Sequence, residues 1–118
     1  MFAGLSATYQ RGYRLRGFSK HTRILEICES VYDYFGVPII EMKSKSRTQK
    51  IVKPRQIAMH LIRKNVTVSL NTIGSLFGGM DHTTVISSDN TVKGYIESYP
   101  GFAKMILEIE DNIAKSFS

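Results

Sequence analysis

Four consecutive side chains, Asp81, His82, Thr83 and Thr84, put a carboxylate, an imidazole and two hydroxyls in one unbroken run. Such groups suit acid–base chemistry, metal binding or hydrogen bonding to a ligand. The first use fails on geometry. Asp81 and His82 are sequence neighbours at a helix start, where side chains point apart, and no nucleophile accompanies them. The second fails on spacing, because His21, His60 and His82 lack ligand spacing with one another or with Cys28. No metal, cofactor, small-molecule ligand or catalysis is therefore expected. The third use fits duplex DNA. A carboxylate accepts from the amine of cytosine or adenine, a threonine methyl packs on a thymine methyl, and a histidine offers a donor or an apolar edge. Asp81 also has the chemistry of an N-cap, and its two oxygens allow both roles at once.

The elements around this run decide whether it meets DNA. Gly78-Gly79 precedes it, and a short apolar-periodic segment with Ile73, Leu76 and Phe77 precedes the glycines. A helix starting at Asp81 or His82 follows, with Val85, Ile86, Val92 and Ile96 on its inner face. A short helix, a glycine turn and a longer helix make a helix-turn-helix, predicted over about 69–98. Ser69 is the expected N-cap of the first of these helices.

Upstream, His21 to Phe35 reads as a helix capped by Thr22, with Ile24, Cys28, Val31, Tyr32 and Phe35 on one face. Gly36 and Pro38 stop it. At this spacing, Tyr32, Tyr34 and Phe35 are expected in the core rather than stacked on bases. A turn of helix over 38–43 buries Ile39 or Ile40. A basic loop spans Lys43 to Lys53. Pro54, tolerated in a first helical turn, opens a helix to about Lys64 that buries Ile57, Ala58, Leu61 and Ile62. Tyr99-Pro100-Gly101 breaks the chain before a last helix, Phe102 to Lys115, with Met105, Ile106, Ile109 and Ile113 inward. The fold class expected is all-α, a helical bundle over 21–118 behind a flexible basic tail over 1–20.

Charge is distributed to match. The 118-residue chain has a formal net charge of +6. From Glu41 to Lys64 the cations are Lys43, Lys45, Arg47, Lys50, Lys53, Arg55, Arg63 and Lys64, against Glu41 alone. After Asp81 acids predominate. One basic surface on a mixed domain suits a polyanion. The sequence has no apolar run long enough for a membrane span and no secretory signal at its start. Its single cysteine fits a reduced, cytoplasmic setting.

Three blocks carry a family resemblance: Pro54-Arg55-Gln56-Ile57-Ala58-Met59, Ser69-Leu70-Asn71-Thr72-Ile73-Gly74, and Phe77-Gly78-Gly79-Met80-Asp81-His82-Thr83-Thr84-Val85. In residues, order and gaps they resemble the C-terminal DNA-binding domain of the DnaA replication-initiator family. The likeness covers roughly Arg23 to Ile113, and its Gly-Gly-x-Asp-His-Thr-Thr-Val block is highly specific. The resemblance implies a Trp-repressor-like helical bundle, at work in the bacterial nucleoid or as a phage or mobile-element protein in a bacterial host. It implies base readout in the major groove of a DnaA box by Asp81, His82, Thr83 and Thr84, and a minor-groove contact by Arg47. It further implies phosphate contacts by Arg55, Gln56, Arg63, Ser69, Leu70 and Asn71, with Lys45 beside them in the basic loop.

The chain departs from the family pattern at Met80, where arginine is usual, and at Asn71, where proline is frequent. It contains no Gly-x-x-x-x-Gly-Lys-Ser/Thr loop, so the initiators' ATPase module is not expected in it. The expectation is a monomer that binds double-stranded DNA at DnaA-box-like sites and acts in replication initiation or its control. A transcriptional regulator is the nearest alternative. More distant are an RNA or single-strand binder using tail aromatics such as Tyr9 and Tyr13, and a protein-docking module using the acidic C-terminal face.

Overall fold

The structure, a computed structural model, describes residues 19–116. The predicted tail lies outside the described residues except for its last two. Six helices follow one another among the described residues: α1 (Lys20–Phe35), α2 (Ile39–Met42), α3 (Gln49–Asn65), α4 (Leu70–Leu76), α5 (His82–Ser98) and α6 (Pro100–Ser116). The all-α expectation holds.

Helix α3 is the hub. It packs on α1, α2, α4 and α5, while α6 closes the bundle against α1 and α5. Enclosure explains why α3 buries more than the expected Ile57, Ala58, Leu61 and Ile62. Ile51, Pro54, Arg55, Met59 and His60 are buried as well. Ile27, Val31, Ile73, Phe77, Val85, Val92 and Ile109 meet it in one continuous core. Burying each such side chain contributes about 1.5–3 kcal/mol.

Several boundaries differ from the sequence expectation. Helix α1 is capped by Ser19, whose Oγ accepts from Thr22 N at 3.1 Å, so Thr22 lies inside the first turn. Helix α3 begins at Gln49, more than a turn before Pro54, because Thr48 O accepts from both Ile51 N and Val52 N and Ile51 is buried. Pro54 therefore sits inside the helix, and the basic loop shrinks to residues 43–48. In α2 Met42 is fully buried and Ile39, one of the two expected residues, packs half-buried on the core, while Ile40 is 78% exposed. Helix α6 starts two residues early, at Pro100, where the missing N–H needs no partner.

The two tyrosines of α1 are the clearest correction, whereas Phe35 packs against the core as expected. Its buried face is Ile24, Ile27, Cys28 and Val31, the i, i+3, i+4, i+7 stripe. That stripe is rotated away from Tyr32 and Tyr34, which are 45% and 43% exposed. Tyr34 instead donates to Glu108 Oε1 at 3.2 Å and ties α1 to α6. Cys28 is core: burial pushes its thiol up to about 11, so it remains protonated and unreactive.

Candidate nucleic-acid interface

The turn between α4 and α5 is built by close backbone approach. Met80 N donates to Gly74 O at 2.8 Å, folding the turn back on α4. A Cβ on Gly74 would lie 2.0 Å from the Met80 carbonyl oxygen. Gly78 has φ +85°, and a Cβ there would lie 2.3 Å from Lys43 O. The turn thus presses on α4 from one side and on the start of the basic loop from the other. Phe77, 1% exposed, anchors it in the core.

Asp81 ends the turn as the N-cap of α5, its Oδ2 accepting from Thr83 N at 3.3 Å. The Thr83 hydroxyl donates to the same oxygen, and His82 Nδ1 lies 3.3 Å from the other. The Thr83 hydroxyl, reinforced by the Thr83 and His82 backbone N–H groups and the His82 ring, holds the Asp81 carboxyl below the usual carboxylate range. Asp81, His82, Thr83 and Thr84 are all exposed at the first turn of α5. This turn offers hydrogen-bonding groups on a rigid support, with the α5 N–H ends behind them.

The basic loop lies beside this turn. Lys45, Ser46, Arg47 and Arg55 share one hollow with Gly78, Gly79, Met80 and Thr84. Lys45 and Arg47 are exposed. Arg55, expected from the resemblance to touch phosphate, is only 5% exposed. Its Nε donates to Met42 O at 2.8 Å, and its Nη2 donates to Ser44 O at 2.8 Å and Ser46 O at 2.9 Å. Three of its five donors are thus turned inward on the loop.

The other expected phosphate residues are spread over α3 and α4. Ser69 caps α4, its Oγ accepting from Thr72 N at 3.1 Å. Leu70 is half-buried and Asn71 exposed beside it, and Gln56 is half-buried on α3. Arg63 is exposed but ion-paired, its Nη1 2.8 Å from Asp89 Oδ2. It lines a second hollow with His60, Lys64, Asp89, Lys93 and Ile96. Asp89, 1% exposed, also meets His60 Nδ1 at 2.7 Å and Lys93 Nζ at 3.1 Å. Burial raises the Asp89 carboxyl's pKa. The hydrogen bonds and charges of His60 and Lys93 outweigh burial and hold it below the usual range.

Sequence reasoning missed the inward roles of Arg55 and Asp89 and the tight place of Gly74. Each had a faint signal. Asp89 stands four residues before Lys93, serines alternate with cations in the loop, and Gly74 interrupts a helix where alanine would be the better former. Among the described residues no cluster of His, Cys, Asp and Glu is arranged to hold a metal ion. Among them, too, no helix is long and apolar enough to cross a membrane.

A two-glycine turn delivering an exposed polar helix start, with a basic loop packed against that turn, defines a helix-turn-helix protein with two adjoining contact surfaces. The chain belongs to the bacterial DnaA helix-turn-helix family, whose model, described as bacterial dnaA protein helix-turn-helix, matches residues 24–92. It is 38% identical over 107 residues to the chromosomal replication initiator protein DnaA of Enterococcus faecalis, covering 91% of this chain and 24% of that protein. Against the DnaA of Bdellovibrio bacteriovorus it is 44% identical over 88 residues, 75% of this chain and 19% of the relative. The chain thus spans a quarter or less of the length of these relatives. A crystal structure of a DNA replication initiation factor superposes with a TM-score of 0.74 at 26% identity, covering 91% of this chain and 33% of that one.

Proposed function

We propose that this chain binds double-stranded DNA with preference for DnaA-box-like sites, as a monomer without catalysis, and acts in replication initiation or its control. The observation that carries the reading is the shared hollow joining Lys45 and Arg47 to Thr84 at the start of α5. It puts cations for the backbone or a minor groove beside hydrogen-bonding groups for base edges. Contacts of the first kind position a protein on DNA, and those of the second kind specify the sequence. In this reading Asp81, His82, Thr83 and Thr84 read bases and Arg47 enters the neighbouring minor groove. Lys45, Gln56, Arg63, Ser69, Leu70 and Asn71 lie along the phosphates.

Membership in the DnaA helix-turn-helix family and the names of the initiator relatives support the replication assignment. Fluorescence anisotropy with a DnaA-box duplex and a scrambled duplex, at one fixed salt concentration, tests the binding. The expected outcome is at least about a thousandfold tighter binding to the box, the low end for specific recognition. Equal affinities would reduce the protein to a non-specific binder. Footprinting across the host genome tests the role, with occupancy at an origin expected and occupancy confined to promoters overturning it.

A further inference from the structure

The 43–48 loop has an alternation that its composition does not explain. Lys43, Lys45 and Arg47 are exposed, whereas Ser44 and Ser46 between them are half-buried. The backbone carbonyls of Met42, Ser44 and Ser46, every second residue, all accept from Arg55. The serines reinforce the pattern. Ser44 Oγ donates to Glu41 O at 2.6 Å, Ser46 N donates to Ser44 Oγ at 3.3 Å, and Thr48 N donates to Ser46 Oγ at 3.3 Å. At the loop's start, Gly78 brings the helix-turn-helix turn into contact with Lys43 O.

We propose that Arg55 is a positioning residue. From inside the fold, its guanidinium fixes the shape of the 43–48 loop, so that Lys45 and Arg47 stand at a set distance from the first turn of α5 before DNA arrives. This rests on the reading that this face binds duplex DNA.

The chemistry favours arginine for the task. The guanidinium is a planar fork whose donors fan out at fixed angles, so one side chain spans three carbonyls along a strand of loop. It remains charged when buried, although burial pulls its pKa below the ordinary value. Carbonyls bound to a cation form stronger hydrogen bonds than neutral pairs do. A loop held this way does not have to be ordered at the moment of binding, and so avoids the entropy of fixing its backbone and the Arg47 side chain.

A lysine at this position keeps the charge, and with it any simple attraction to phosphate. It loses the fork. Arg55→Lys therefore separates positioning from direct contact. The loop itself is read without DNA, from backbone ¹⁵N heteronuclear NOEs of the free protein. Residues 44–48 should be as ordered as α3 in the wild type, and clearly less so in Arg55→Lys. A mobile loop in the free wild type overturns the proposal, whether or not the variant folds. An equally ordered loop in the variant also overturns it.

DNA binding supplies the second readout. Two duplexes are compared, identical at the α5 contact and differing only in an A·T-rich or G·C-rich flank. Arg55→Lys should lose the flank preference to the same extent as Arg47→Ala. The double variant should fall within about twofold of either single one, since coupled sites are not additive. Full additivity of the two losses, or a flank preference retained by Arg55→Lys, overturns the proposal. Should the wild type bind no DNA, the proposed function fails, and the NOE comparison still decides whether Arg55 sets the loop.

Discussion

Asp81 holds two duties at one carboxylate, and they can be separated. Its Oδ2 caps α5 by accepting from Thr83 N, while the residue remains exposed at the first turn of that helix. Asparagine caps a helix about as well as aspartate but adds an amine donor and removes the charge. Asp81→Asn should therefore melt like the wild type, yet bind the preferred duplex roughly tenfold to a hundredfold more weakly, with little change on random DNA. A melting temperature that falls in step with affinity would mean that Asp81 acts through the cap alone. The cap was legible in the sequence, because it depends on residues two apart. The place of Arg55 was not. A positively charged residue in a basic stretch reads as solvent-facing, and only the tertiary meeting of α3 with the loop shows three carbonyls waiting for it.

At the scale of elements, two glycines in helices have opposite meanings that the sequence does not distinguish. Alanine is the better helix former by about 0.8–1.0 kcal/mol, so on propensity alone either replacement stabilises. Gly94, in α5, has nothing within 4 Å of an added Cβ, and Gly94→Ala should gain about 0.5–1 kcal/mol. Gly74, in α4, would drive its Cβ into the Met80 backbone carbonyl, which cannot rotate away as a side chain would. Overpacking of this kind destabilises by about 1–3 kcal/mol, outweighing the propensity gain. Gly74→Ala should be less stable in urea unfolding. It should also lose sequence discrimination, because the turn that aims α5 must shift. Unchanged binding with increased stability would refute the close approach. The same distinction between local and tertiary causes governs how much of the fold was legible. Ser69 as a cap, the glycine turn and the inner face of α3 follow from neighbours within a few residues, and all are present. The rotation of the α1 stripe away from Tyr32 and the early start of α3 depend on what packs against those helices. The apolar spacing of the chain is compatible with either outcome.

The molecule as a whole is basic, yet it buries an acid at the junction of its two principal helices. Asp89 of α5 receives His60 and Arg63 from α3 and Lys93 from its own helix. The bonds across the junction fix the register of α5 on the hub. Arg63 and Lys93 are 38% and 57% exposed, so water screens their share of the cluster, whereas His60 is buried with Asp89. Leaving the buried His60 ring without its partner costs about 1–3 kcal/mol, a sizeable part of the roughly 5–15 kcal/mol that holds a domain of this size folded. The pH dependence follows in sign from the depressed Asp89 pKa. The unfolded chain takes up this proton near pH 3.9, and the folded protein does so only at lower pH. The carboxylate's contribution is therefore fully present well above about pH 4 and is lost as pH falls through the folded value. Asp89→Asn is nearly isosteric and has no such proton to gain. At pH 7 the variant should unfold at a much lower urea concentration than the wild type. Below about pH 4 the two midpoints should converge, since the wild-type carboxylate is then being neutralised as well. A gap that stays constant from pH 7 into the acid range would show that the ionised Asp89 does not hold α5 to α3, and that shape alone keeps α5 in place.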